Sequence, residues 1–151
     1  MALHIGFVVG TLILVANSHK TTFHGTLGVH LLQEGKAQVA VEPLQISYEV
    51  SPESAERANA LAYALGLSGQ RLEEAGALSA KALASDPQNS SYLDTRGWIF
   101  CRRGDVERGL RLLEEARTRL VGEDPTIDEH LDGCAGAAGL QGELRDDASG
   151  R

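Results

Sequence analysis

The residues of this chain best suited to chemistry are its five histidines, His4, His19, His24, His30 and His130, and its two cysteines, Cys101 and Cys134. Metal binding or acid–base work on a helix needs such groups on one face, three or four residues apart. No two of the histidines stand at i, i+4, and there is no HExxH. The cysteines form no CxxC and share no ligand spacing with a histidine, so neither a zinc site nor a disulfide framework is implied. No GxSxG, glycine-rich phosphate loop or paired-carboxylate pattern stands out either. The chain is therefore expected to be no enzyme and to hold no metal or cofactor.

The elements that position these residues follow from composition and period. The 151 residues, 42% of them apolar, suffice for one core. With 14 basic against 21 acidic residues the formal charge is -7, which opposes a sequence-independent grip on phosphate backbones, so nucleic acid is not an expected partner. Aromatics make up only 5%, while Ala, Leu, Glu and Arg abound over residues 53–120, which favours helices packed through small side chains. Residues 1–18 are strongly apolar, yet no Lys or Arg precedes Lys20 and the run falls short of the roughly 20 residues a spanning helix needs. A buried helix is expected there rather than an export signal or anchor, although Val8, Val9, Ile13 and Val15 favour strand.

Small residues recur with a fixed period. Gly28, Ala62, Gly97 and Asp132 lie 34, 35 and 35 residues apart, the first three being small; Ala40, Ala75 and Gly109 repeat at 35 and 34, as do Ser47, Ala82 and Ala116. Antiparallel helices approach closely only where a small side chain leaves room for a facing knob. Leu27, Leu31, Leu44, Leu61, Leu65, Leu83, Trp98, Phe100, Leu110 and Leu113 supply the knobs at helical spacing. Turn signals share the period: QEGK at 33–36, SGQR at 68–71 and RRGD at 102–105 place a glycine after each first helix. VSPES, SDPQNS and GEDPT separate the units.

The stretch from Asn59 to Leu131, with NALAYAL, SGQRLEEA and AKALASDPQNSSYLDTRGWIFCRRGDVERGLRLLEEA, resembles tandem tetratricopeptide repeats of bacterial type. The match is best in units 55–89 and 90–124 and weaker in 21–54, where Gly28, Gly35, Ala40, Leu44 and Pro52 carry it. The resemblance implies an all-α, right-handed solenoid of about three helix-turn-helix units with flanking N- and C-terminal helices. Residues 1–20 would be an apolar half-repeat, with 3–16 its second helix; 125–142 would be a partial cap and 143–151 a disordered tail. Pro43 should remove a hydrogen bond and kink its helix. The glycines of EHLDGCAGAAGLQG, each costing roughly 1 kcal/mol against Ala, should weaken the last helix.

In the resembled family the first helix of each pair lines the concave face that takes ligands. Carried over position by position, the partner-binding residues would be Asn59, Tyr63 and Leu67, then Asp94, Trp98 and Arg102. Asn59 would bond a ligand backbone, Arg102 would take a carboxylate, and Tyr63 or Trp98 would give a flat anchor. The alternative assignments are core for the aromatics and solvated charges two turns apart for Asp94 and Arg102. Cys101 and Cys134 would sit on neighbouring first helices as small buried hydrophobes, a disulfide being disfavoured because it needs alpha carbons within about 7 Å. The implied function is a scaffold holding a protein or peptide. The alternatives are a membrane-tethered assembly factor and a regulatory subunit docking an enzyme. Apolar terminal faces leave self-association open.

Overall fold

A computed structural model of the protein describes residues 22–122 and 124–148, with side chains as far as residue 137. The expectation of a helix over 3–16 lies outside the described residues. Within them the chain is helical throughout, with no strand: α1 (22–33), α2 (Ala37–Val50), α3 (Ala55–Ser68), α4 (Leu72–Ser85), α5 (Ser90–Arg102), α6 (Val106–Arg119) and α7 (Pro125–Ala148).

Local chemistry sets the helix ends. The Ser54 hydroxyl accepts from the Arg57 amide at 3.3 Å, Asn89 Oδ1 from Tyr92 at 3.2 Å and Asp105 Oδ1 from Arg108 at 3.4 Å, capping α3, α5 and α6. Within each hairpin, the first helix ends on a glycine in the left-handed region, Gly35, Gly69 or Gly104. At Gly69, with φ 70°, the next amide, Gln70, reaches back to the Leu65 carbonyl at 3.1 Å. A side chain there would be strained, so the turn requires glycine.

Packing follows the small-residue register. A Cβ on Gly28 would stand 2.4 Å from Leu44 Cγ, and one on Gly97 would stand 2.8 Å from Leu113 Cγ. These are the same contact, first helix to second, in the first and third hairpins. Gly97 and Gly109 bring α5 and α6 together so tightly that a Cβ on either meets the other's carbonyl oxygen at 2.9 Å. Leu61, Leu65 and Leu113 are wholly buried, each contributing about 1.5–3 kcal/mol of transfer free energy.

Each second helix also packs on the first helix that follows, α2 on α3, α4 on α5 and α6 on α7, and successive first helices touch, α3 with α5 and α5 with α7. Pro43 lies buried inside α2, which runs through it as one helix. The helix α7 continues from Pro125 to Ala148 through its glycines. Among the described residues no helix is long and apolar enough to cross a membrane.

Candidate functional site

The first helices α1, α3, α5 and α7 share one face of the array, and a cavity of about 540 Å³ opens along it. Val29 and Gln33 of α1, Asn59, Ala60 and Tyr63 of α3, Ser91, Asp94 and Thr95 of α5, and Thr126, Ile127 and Glu129 of α7 line it, with Asp124 just ahead of α7. A second cavity of about 570 Å³ between α1 and α3 shares Val29, Gln33 and Ala60 with the first, so the two form one groove.

Three of the six residues singled out in the sequence meet in this groove: Asn59, Tyr63 and Asp94. The Asn59 side-chain oxygen is buried and has no hydrogen-bond partner among the described residues. Such an atom costs free energy unless a donor reaches it. The Tyr63 phenol is pushed up to about 12, first by burial and then by the negative charges of Asp94, Asp124 and Glu129.

Asp94 is buried, unlike the solvated charge of the alternative assignment, whereas Arg102 is exposed. The Asp94 carboxylate is buried and lies 2.8 Å from His130 Nδ1, itself buried on α7. A buried charge demands a partner, and the second turn of α7 carries one to it. With Asp94 accepting, Nδ1 is the nitrogen that donates. The His130 ring stacks on Trp98 with centroids 4.6 Å apart and planes 17° from parallel, and it meets Tyr63 edge-on at 5.7 Å. The groove floor is therefore a polar–aromatic cluster contributed by α3, α5 and α7.

Leu67, Trp98 and Arg102 lie beyond the cavity lining. Trp98 is half-buried, its indole Nε1 buried without a partner among the described residues and its ring against the backbone of Gly133. Arg102 is exposed. Its Nη1 donates to the Leu67 carbonyl at 3.3 Å and its guanidinium sits 5.6 Å from the Trp98 centroid, so it ties the end of α5 to the end of α3.

The cysteines also require a correction. Cys101 of α5 and Cys134 of α7 lie on neighbouring first helices, as expected, but they form a disulfide with alpha carbons 5.4 Å apart. That separation is within the limit of about 7 Å that a bridge needs. Gly133 beside Cys134 presents bare backbone to Trp98 and permits it.

Sequence reasoning missed His130 and the hydroxyl and acidic side chains on the first turns of α5 and α7. The available signal was weak: Asp94 and His130 are 36 residues apart, close to one repeat. Among the described residues no cluster of His, Cys, Asp and Glu is set to hold a metal.

No protein-family model matches the sequence, and neither does any curated protein. Solved structures do match. Pseudomonas aeruginosa PilF is 27% identical with a TM-score of 0.60, over 85% of this chain and 56% of that one. The P58(IPK) TPR domain is 13% identical with a TM-score of 0.66, over 86% of this chain and 37% of that one. The second TPR domain of human RPAP3, solved with an HSP70 peptide, is 19% identical with a TM-score of 0.60, over 79% of this chain and 98% of its own. This chain thus spans little more than half of PilF and about a third of the P58(IPK) domain.

The fold is that of a tetratricopeptide-repeat array, an all-α solenoid of helical hairpins. The sequence resemblance and the solved structures agree on this class.

Proposed function

We propose that this chain is a non-catalytic scaffold that holds a peptide or protein segment in the groove along α1, α3, α5 and α7, with no bond made or broken. The observation that carries the reading is the buried, unpartnered Asn59 oxygen in the wall of a cavity of about 540 Å³. An acceptor so placed suits a backbone N–H of a bound segment. Tyr63 supplies the flat contact beside it. Binding of an HSP70 peptide by the RPAP3 domain, on the same fold, supports the reading.

The six residues then divide by role. Asn59 and Tyr63 touch the segment. Asp94 holds His130 and so positions the groove floor. Leu67, Trp98 and Arg102 shape the end of the groove where α3 and α5 finish, Trp98 through its stack on His130.

The test uses peptides selected from a random display library on the full chain and measured by fluorescence anisotropy. Asn59→Ala and Tyr63→Ala should each weaken the selected peptide at least about tenfold, the loss expected of an energetically dominant contact. Arg111→Ala, at an exposed position of α6 where the side chain pairs with Glu107, should leave it unchanged. A peptide indifferent to both groove variants would overturn the proposal.

A further inference from the structure

The α1 end of the array carries an apolar face that the next repeat keeps covered. Leu27 and Leu31 of α1 stand one repeat length before Leu61 and Leu65 of α3. Leu61 and Leu65 are wholly buried in a core shared with Val41, Leu44 and Tyr48 of α2, whereas Leu27 is 37% exposed and Phe23, a turn earlier, 64%. A cleft of about 220 Å³ opens on the same side, its lining including His24, Leu27, Leu31 and Val39. Each second helix in the array covers the first helix after it. By that rule, the uncovered α1 face is the seat of a second helix one repeat earlier.

The chain holds a segment of the right length, position and pattern. Residues 3–16 are as many as those of α2 and precede Ala37–Val50 by 34 residues, one repeat. Gly6 extends the small series Ala40, Ala75 and Gly109 by the same step. Phe7 and Leu14 fall where α2 has Val41 and Tyr48, the side chains that join the core over α3. The segment contains no Asp, Glu, Lys or Arg, so docking it desolvates no full charge. Five residues, 17–21, connect it to α1, against the four from Ser51 to Ser54 that connect α2 to α3.

We propose that residues 3–16 of this chain dock as a helix on the Phe23–Leu27 face of α1 and cap the array from within. The cap hides an apolar face that would otherwise recruit a second copy or a bilayer.

Hydrogen exchange of the full chain, read by mass spectrometry, tests this. In the monomer, free of lipid, amides of residues 3–16 should exchange at least about tenfold more slowly than an unstructured peptide. Leu27→Asp should abolish that protection while leaving α5 and α6 unchanged. Phe23→Asp, at a far more exposed position that cannot unfold α1 by burying a charge, should do the same. Unprotected residues 3–16 in the wild-type chain would overturn the proposal, as would protection that survives both variants. So would protection that appears only with a dimer mass in light scattering, or only on adding phosphatidylcholine–phosphatidylglycerol vesicles.

Discussion

Asp94 of α5 and His130 of α7 face each other at 2.8 Å in the floor of the groove, both buried, and they join two repeats through one charge-assisted contact. Removing one partner leaves the other buried and unpaired, which costs more than the bond itself contributes. Asp94→Ala should therefore destabilise the chain by about 2–4 kcal/mol, and Asp94→Asn by less. Urea unfolding followed by the fluorescence of Trp98, the single tryptophan and the ring against which His130 stacks, measures both variants.

The Cys101–Cys134 disulfide ties the same two helices over a separation of 33 residues. Reduction, or the double change to Ser, should lower stability by about 2–4 kcal/mol, chiefly by releasing the unfolded chain. Because α7 packs chiefly on α5 and α6, its amides should lose exchange protection before those of α3 and α4 do. Equal loss across the array would refute the claim that the bridge pins the last helix in particular.

Glycine substitutions separate packing from helix preference. A Cβ on Gly109 would lie 2.1 Å from Cys101 Sγ and 2.9 Å from the Gly97 carbonyl, whereas one on Gly136 of α7 meets nothing within 4 Å. Gly109→Ala should destabilise by about 1–3 kcal/mol. Gly136→Ala should stabilise by up to about 1 kcal/mol, because it removes only the glycine entropy cost. Thermal melts of the two proteins should move in opposite directions.

The Tyr63 phenol is held up at about 12 against an ordinary 10.0 by burial and the neighbouring carboxylates. A raised value in the folded state means that the contribution to stability is whole below pH 10 and is lost as pH climbs towards 12. Spectrophotometric titration of the three tyrosines should show a phase near 12 that Tyr63→Phe removes. Its survival in that variant would contradict the assignment.

The repeat architecture was legible because close helix packing imposes a one-dimensional rule. Ala40, Ala75 and Gly109 must be small wherever two helices touch, and all three are buried. Turn glycines such as Gly69 were legible for a similarly local reason, since few residues tolerate their φ. The Asp94–His130 pair and the Cys101–Cys134 bridge were not. Both depend on how α5 crosses α7, a distance between helices about a repeat apart that no local rule sets. The bond from Arg102 to the Leu67 carbonyl was hidden for the same reason: spacing puts Arg102 at the end of α5, but which carbonyl of α3 comes within reach depends on how the two helices cross.

The most direct test of the account is to locate a bound segment on the protein. Amide chemical shifts of the isotopically labelled full chain should be recorded while a library-selected peptide is added. The account requires the perturbed amides to follow α3, α5 and the first turns of α7 around Asn59, Tyr63 and Thr126, with α4 and α6 still. Shifts confined to α4 and α6 would contradict it.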